Sequence, residues 1–279
     1  MASDKERVDV LLVDHGFFET REKAKASIMA GLIFVDEERI EKPGTKMSRL
    51  VKFVVKGAPH PYVSRGGLKL EKALKHFAIS LEGLLMLDIG ASTGGFTDCA
   101  LKQGAAGVVA IDVGYNQLDW SLRSDPRVTV MERTNFRYMK PEDLPSPAAN
   151  FATIDVSFIS LQLILPPLQT VLALGGEIIA LIKPQFEAGR ANVGKSGVVR
   201  DSQIHRNVLM SILTFAANLG FGLKGLTYSP ITGGEGNIEF LAYWTINGSL
   251  TTELSQIIEP NQWVHLIENI VNEASHTLK

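Results

Sequence analysis

The chain has 279 residues and a mass of 30.4 kDa, which suits one large domain with a smaller one. Hydrophobic residues make up 45% and charged residues 21%, so the composition excludes disorder over most of the length. The formal net charge of -2 excludes a nucleic-acid binder marked by bulk charge, although residues 1–75 carry 15 Lys+Arg against 11 Asp+Glu. A single cysteine, Cys99, and the lack of a signal-peptide apolar region after Met1 lead us to expect a cytoplasmic protein.

The first residues predict a small unit of two helices followed by short strands. Ser3 and Glu6 have the spacing of a capping box at the start of the first helix. Thr20 can cap a second predicted helix over residues 21–30, because its hydroxyl can accept a hydrogen bond from a backbone N–H of the first turn. The apolar run at 32–36 then predicts a strand.

The composition changes after this unit, where residues 56–61 contain two prolines and a glycine. Such a stretch does not continue a helix or a central strand, so it is typical of a linker. We therefore predict a first domain over residues 1–56, a linker over residues 57–66 and a second domain over residues 67–279.

The second domain alternates short β-rich runs with helical patterns. This alternation predicts an α/β fold of the Rossmann-like type, a mostly parallel sheet with helices on both faces. The last two predicted strands, residues 223–228 and 238–246, have no helix between them and are expected to pair antiparallel at one edge. The other predicted strands lie at residues 84–89, 108–113, 128–131, 152–156 and 178–182, and further helices at 68–77, 202–219 and 261–274.

A glycine-rich turn, DIGASTGGF, follows the first strand of this domain. Gly90, Gly94 and Gly95 lack a Cβ atom and let the backbone approach a ligand closely, but their spacing differs from the dinucleotide pattern G-x-G-x-x-G. The carboxylate of Asp88 is expected to repel a pyrophosphate and to attract the cationic end of S-adenosylmethionine. Asp112, at the end of the next strand, can hold ribose hydroxyls, so we predict S-adenosylmethionine binding here. The alternative is a plain tight turn with a buried, capped Asp88.

Four charged residues lie on or beside apolar elements of the second domain. Asp155 and Lys183 end predicted strands, Glu239 begins the last strand, and Lys69 lies on the helix before the sheet. Charges there are costly unless they are paired, so they could balance one another in a common site, or each could be a structural ion pair or a surface residue. This set suits a hydroxyl methyl acceptor, because a ribose 2′-OH must lose its proton and a neutral lysine amine can take it.

These motifs together resemble the TlyA-type ribosomal RNA 2′-O-methyltransferases, a family in which the name hemolysin A also occurs. The resemblance covers essentially the whole chain and implies an S4-like RNA-binding domain followed by an FtsJ-like, Rossmann-like methyltransferase domain. It is carried by YVSRGGLKL at 62–70, DIGASTGGFTD at 88–98, DVSFISL at 155–161, LIKPQFE at 181–187 and GNIEFL at 236–241.

The resemblance also implies roles for individual residues. The catalytic residues are implied to be a tetrad in which Lys183 accepts the proton, namely Lys69, Asp155, Lys183 and Glu239. The cofactor-binding residues are implied to be Asp88, Gly90, Ala91, Ser92, Gly94, Gly95, Phe96, Asp112 and Asn135. The RNA-binding residues are implied to be Arg7, Arg21, Lys23, Lys25 and Arg65.

The family resemblance implies S-adenosylmethionine-dependent methylation of cytidine ribose in 16S and/or 23S ribosomal RNA, with ribosomal RNA and ribosomal subunits as partners. No metal is expected, because the histidines share no ligand spacing. Two other hypotheses stay open. One is a catalytically inactive ribosome-binding or assembly factor. The other is a membrane-lytic hemolysin, which needs an amphipathic or spanning apolar segment that we do not find in the sequence.

Overall fold

The chain divides into two units, Met1–Arg65 and Gly66–Lys279, in the computed structural model. Ser3, Lys56 and residues 57–59 of the predicted linker lie outside the described residues. The structure describes residues 5–18, 20–29, 31–55, 60–145, 149–233, 236–246 and 257–278.

The first unit consists of two helices and short antiparallel strands. Its elements are β1 (Lys5–Arg7), α1 (Val8–Asp14), α2 (Arg21–Met29), β2 (Ile33–Val35), β3 (Glu38–Arg39), β4 (Lys46–Ser48) and β5 (Val54–Val55). β1 pairs with β4, while β2 lies between β3 and β5. The helices bury a small apolar core against the strands, made of Val8, Leu11, Leu12, Ala24, Ile28, Ile33, Val35, Ile40 and Phe53.

The two helix starts of this unit differ from each other in how well the sequence predicted them. Thr20 caps α2, since its hydroxyl accepts a hydrogen bond from the backbone N–H of Lys23 at 3.3 Å. The prediction of a capping box at Ser3 and Glu6 is wrong, because Glu6 lies in β1 opposite Met47. Pairing of β1 with β4 holds this residue extended, so α1 begins later than predicted, at Val8.

The second unit is a sheet flanked by helices. Its elements are α3 (Gly67–His76), β6 (Leu85–Ile89), α4 (Gly95–Lys102), β7 (Gly107–Ile111), α5 (Trp120–Arg123), β8 (Val128–Met131), β9 (Ala149–Ile154), α6 (Leu165–Val171), β10 (Leu172–Ile182), α7 (Pro184–Glu187), α8 (Ser202–Asn218), β11 (Phe221–Tyr228), β12 (Phe240–Ile246) and α9 (Trp263–Thr277). Within the described residues, seven strands form one sheet in the order β11-β12-β10-β9-β6-β7-β8. β12 runs antiparallel to both of its neighbours and the other pairs are parallel, so the predicted fold class is confirmed.

The carboxyl ends of the central strands lie side by side. Ile89 at the end of β6 is in register with Ile111 of β7 and Ile154 of β9. Because β12 is antiparallel to β10, its first residue, Phe240, pairs with Ile182 at the last residue of β10. The edge where open α/β sheets bind ligands is therefore formed by the residues after β6, β7, β9 and β10 and by those before β12.

Candidate active site

The four charged residues that the sequence singled out meet at this edge of the sheet and form a chain of alternating ion pairs. Lys69 Nζ lies 2.7 Å from Glu239 Oε2 and 3.7 Å from Asp155 Oδ2. Lys183 Nζ lies 2.6 Å from Asp155 Oδ1. The chain is largely removed from solvent, since each lysine side chain is 9% exposed and that of Glu239 is 2% exposed. Such burial is tolerable because every charge has an opposite partner.

Each residue reaches this point from a different element. Lys69 lies in the first turn of α3, and Asp155 and Lys183 are the first residues after β9 and β10. Glu239 is the residue before β12, which begins at Phe240, two residues later than the predicted start at residue 238. The cluster therefore depends on the sheet order as a whole, and no short stretch of sequence contains it.

Asp155 is the centre of the cluster. Burial alone would raise the pKa of its carboxyl group, but the nearby ammonium groups of Lys69 and Lys183 outweigh that effect and lower the pKa below its ordinary value. The carboxylate therefore stays ionised at neutral pH and fixes both lysine side chains.

Two uncharged residues that sequence reasoning did not select complete the cluster. Lys183 Nζ donates a hydrogen bond to Ser157 Oγ at 2.9 Å, and Gln185 Nε2 donates to Glu239 Oε1 at 3.3 Å. Both lie within motifs that carry the family resemblance, which was the available signal for them.

A cavity of about 440 Å³ adjoins the cluster and includes Asp155 and Ser157 in its wall. Of the predicted cofactor-binding residues, it is lined by Gly90, Ser92, Asp112 and Asn135. Its volume falls within the range of about 300–1,000 Å³ that is usual for small-molecule sites.

Backbone groups hold the Asp112 carboxylate in the cavity wall. Its Oδ2 accepts a hydrogen bond from the N–H of Ser92 at 2.8 Å, and its Oδ1 accepts one from the N–H of Gly114 at 2.7 Å. A carboxylate oxygen can accept more than one hydrogen bond, so both oxygens keep capacity for hydroxyl donors of a ligand. Gly90 has a φ of +86°, and a Cβ atom there would lie 2.7 Å from the carbonyl oxygen of Asp155. Glycine therefore lets the loop lie directly against the strand end that carries the cluster.

Comparison with known proteins identifies the family. The model of the FtsJ-like methyltransferase family matches residues 62–245, and the model of the S4 domain matches residues 6–49. The chain belongs to the TlyA-type family of FtsJ-like methyltransferases. The resemblance drawn from the sequence motifs is therefore confirmed.

Similar proteins align over most of this TlyA-type chain. It is 56% identical over 281 residues to YqxC of Bacillus subtilis, covering 100% of this chain and 97% of that protein. It is 43% identical over 238 residues to the 16S/23S rRNA (cytidine-2′-O)-methyltransferase TlyA of Mycobacterium tuberculosis, covering 85% of this chain and 88% of that protein. A solved structure of a hemolysin-named protein from Streptococcus thermophilus has a TM-score of 0.76 and 51% identity, covering 98% of this chain and 96% of that one. Within the residues that the structure describes, no helix is long and apolar enough to cross a membrane.

The structure places Asp88 away from the cavity. Its side chain is fully buried, with Thr97 Oγ1 donating to Oδ2 at 2.6 Å and Thr153 Oγ1 donating to Oδ1 at 3.0 Å. Burial raises the pKa of this carboxyl group to about 6, despite the two hydroxyl donors. Its carboxyl group therefore ties the strand before the glycine loop to β9 and α4, and contact of Asp88 with a bound cofactor stays a prediction.

Four other residues of the predicted cofactor set lie in the loop or at the start of α4 and do not line the cavity. Gly94 has a φ of +97°, and a Cβ atom there would lie 2.3 Å from Leu122 Cδ1, so it allows close packing at the start of α4. Phe96 and Ala91 are buried in the apolar core. Gly95 is the first residue of α4. These residues shape the loop, whereas Gly90 and Ser92 are the loop residues of this set that line the cavity.

The predicted RNA-binding residues all lie in the first unit. Arg7 and Arg21 both contact the buried carboxylate of Asp9. Lys23 and Arg65 are exposed, and Lys25 is half-buried. The structure therefore brings two of these five residues together at one carboxylate.

Proposed function

We propose that this protein transfers a methyl group from S-adenosylmethionine to the ribose 2′-oxygen of cytidine in ribosomal RNA. The observation that carries the proposal is the buried chain of two lysines and two carboxylates beside the 440 Å³ cavity. The cytidine-2′-O activity named for the Mycobacterium tuberculosis relative supports the same chemistry. Ribosomal RNA as the substrate implies action in the cytoplasm.

The residues of the cavity fit S-adenosylmethionine. The fixed carboxylate of Asp112 suits the two hydroxyls of a ribose, and Asn135 offers an amide donor and acceptor in the same wall. The missing Cβ atom of Gly90 lets backbone line the cavity next to Asp155. When bound, the cofactor supplies an electrophilic methyl group on sulfur.

Lys183 is placed to take the proton of the acceptor hydroxyl. A neutral lysine amine has two N–H bonds and one lone pair. Asp155 and Ser157 can accept those two N–H bonds, since they lie 2.6 and 2.9 Å from Nζ, which leaves the lone pair for the ribose hydroxyl. As the hydroxyl oxygen takes up the methyl group that a bound cofactor would supply, its proton would pass to Lys183, where Asp155 stabilises the new ammonium group.

Lys69 and Glu239 act on this centre through Asp155. Lys69 binds Glu239 at 2.7 Å and also approaches the second oxygen of Asp155. It therefore holds the Asp155 carboxylate in the orientation that Lys183 needs. The S4 domain supplies affinity for RNA in this proposal, and the second unit supplies the chemistry.

The proposal is tested by transfer of tritium from methyl-labelled S-adenosylmethionine to isolated small subunits, isolated large subunits and intact ribosomes. We expect label in ribosomal RNA of at least one of these substrates, and nuclease digestion with mass spectrometry should identify it as 2′-O-methylcytidine. Lys183→Arg serves as the matched control. Cofactor binding with no label in any substrate would instead favour an inactive ribosome-binding or assembly factor.

A further inference from the structure

Asp9 connects two arginines in the first unit. It lies in the first turn of α1, and its side chain is fully buried. Its Oδ1 accepts a hydrogen bond from Arg7 Nε at 2.9 Å. Its Oδ2 accepts one from Arg7 Nη2 at 3.1 Å and another from Arg21 Nη2 at 2.9 Å. The Nη2 atoms of Arg7 and Arg21 both contact Oδ2 of Asp9. They therefore lie no farther apart than the sum of their two distances to that oxygen.

The outer sides of both guanidinium groups remain accessible. The side chains of Arg7 and Arg21 are 41% and 48% exposed. Among residues 5–18, 20–29 and 31–55, no second carboxylate lies within ion-pair distance of either group, and the nearby Glu6 pairs with Arg49 at 3.3 Å. Within the described residues of this unit, Arg7 uses two of its five N–H bonds on Asp9 and Arg21 uses one, so most donors of the pair are free to meet an anion.

We propose that Asp9 is a positioning residue that holds Arg7 and Arg21 as one paired-guanidinium site for a phosphate of the RNA backbone. This inference rests on the proposed function and names the place where the S4 domain would contact its substrate. Two free guanidinium groups repel each other and lose side-chain entropy when they are brought together. Asp9 arranges them before RNA arrives, and planar guanidinium groups match the oxygen pairs of a phosphate.

The hydrogen bonds that form the pair also keep Asp9 ionised. Those from Arg7, opposed in part by burial and aided by Arg21, lower the pKa of the Asp9 carboxyl group to about 2. At neutral pH the site therefore combines two positive groups with one negative group and carries net positive charge.

The substitution Asp9→Asn separates positioning from charge, because the two effects have opposite signs. The variant gains one positive charge, which alone would tighten binding to RNA. Loss of the ionic acceptor lets the two arginines separate, which weakens binding if their arrangement matters. Glu22→Gln is the matched control, since Glu22 is an exposed carboxylate of α2 beside Arg21 and its loss changes the net charge equally.

Binding of the full-length variants to isolated ribosomal subunits is measured by filter retention over a series of salt concentrations. We expect Glu22→Gln to bind as tightly as the wild type or more tightly, and Asp9→Asn to bind about tenfold more weakly, which is about 1.4 kcal/mol. With subunits as the varied substrate, Asp9→Asn should raise KM and leave kcat unchanged. Arg21→Ala should reduce the slope of log affinity against log salt by about one unit.

The variants Arg7→Lys and Arg21→Lys keep the charge and remove the planar fork, so they decide the question if Asp9→Asn unfolds. We expect each to melt near the wild-type temperature and to bind subunits more weakly. Asp9→Asn that is folded and binds at least as well as Glu22→Gln overturns the inference, as do lysine variants of unchanged affinity. The proposed function survives that result, and fails only if the wild type neither binds nor methylates any subunit.

Discussion

Lys183 is the residue on which the proposed chemistry depends most directly. Replacing it with arginine keeps a positive charge beside Asp155 but removes the proton acceptor, because a guanidinium group stays protonated in proteins. We expect Lys183→Arg to fold, to bind S-adenosylmethionine and to methylate at least about 100-fold more slowly, the low end of what a positioned acid–base group contributes. Single-turnover methylation of ribosomal subunits measures this, with calorimetry of cofactor binding as the control.

Near-wild-type turnover in Lys183→Arg would mean that Lys183 acts only as a charge. The proton would then leave through water or Lys69, and the proposed function would stand with a different base.

Asp88 gives a second prediction at this scale, and it concerns stability. Burial raises the pKa of its carboxyl group from an ordinary 3.8 to about 6. The folded protein therefore binds this proton more tightly than the unfolded chain does. The stabilising contribution of this carboxyl group is complete below about pH 4 and is lost as the pH rises through 6, by up to about 3 kcal/mol. Asp88→Asn has no such titration. We expect the variant to lose less free energy of unfolding than the wild type between pH 4 and pH 7.5.

Denaturant unfolding at a series of pH values measures this difference when it is monitored by a spectroscopic probe in the second unit. Glu142→Gln is a suitable control, because Glu142 is an exposed carboxylate of the same unit. It should reproduce the wild-type pH dependence. If Asp88→Asn showed the same pH dependence as well, Asp88 would not titrate as its burial implies.

The contrast between Asp88 and Asp112 shows what the sequence could predict about individual side chains. Both were expected to face a ligand because both lie near strand ends. Asp112 follows β7 and lines the cavity, whereas Asp88 is the fourth residue of β6 and is in register with Thr153 of β9. Asp88 lies one residue before the end of β6, between paired strands, whereas Asp112 lies one residue beyond the end of β7, where the sheet edge meets the cavity. The exact strand end depends on neighbouring strands, so local sequence did not resolve it.

At the scale of elements, the strands of the second unit were predicted well and the start of the first unit was not. Short β-rich runs between helical patterns indicated the buried strands, because a parallel sheet with both faces covered needs apolar strands. β1 has only three residues and is half-exposed, so it carries no such apolar signal. Its pairing with β4 brings together residues about forty positions apart, and that pairing overrides the local capping pattern at Glu6.

The turn between β6 and α4 provides a prediction about backbone contact. Gly90 and Gly83 both have positive φ angles, of +86° and +71°. A Cβ atom at Gly90 would lie 2.7 Å from the Asp155 carbonyl oxygen, whereas one at Gly83 would have no neighbour within 4 Å. Gly83→Ala therefore costs only the left-handed backbone penalty, about 1–2 kcal/mol. Gly90→Ala should cost about 1–3 kcal/mol more, because backbone must move.

Denaturant unfolding of the two variants measures this difference, and the same pair tests the site. A shift of the backbone at Gly90 displaces Asp155, so Gly90→Ala should also lower cofactor affinity and methylation, while Gly83→Ala should leave both unchanged. Equal effects of the two substitutions would show that the close approach of the loop to Asp155 has no functional role.

At the scale of the whole molecule, the four charged residues became a site only through the order of the strands. Their positions are spread from 69 to 239 in the sequence, and the spacing between them has no repeat. The alternating strand and helix pattern predicted that Asp155 and Lys183 share an edge, because successive parallel strands end at the same side of a sheet. The approach of Glu239 depends on insertion of β12 between β10 and β11, which the predicted antiparallel pair did not specify. Ser157 and Gln185 carry no charge, so the search for charged residues did not select them although both lie within the family motifs.

Division of labour between the two units gives the last prediction. The second unit contains the complete cavity, the ion-pair chain and a large apolar core, whereas the first unit contains the paired arginines. Deleting residues 1–56 should therefore leave the affinity for S-adenosylmethionine within about twofold of the full chain. A twofold change corresponds to less than about 0.5 kcal/mol. The deletion should abolish methylation of ribosomal subunits at concentrations where the full chain is active. Circular dichroism and calorimetry verify that the shortened chain is folded and binds the cofactor.

Binding of the full chain to subunits should weaken as salt rises, because phosphate contacts release counterions, whereas cofactor binding by either chain should change little. A shortened chain that methylates subunits at the full rate would assign RNA affinity to the second unit and refute this division.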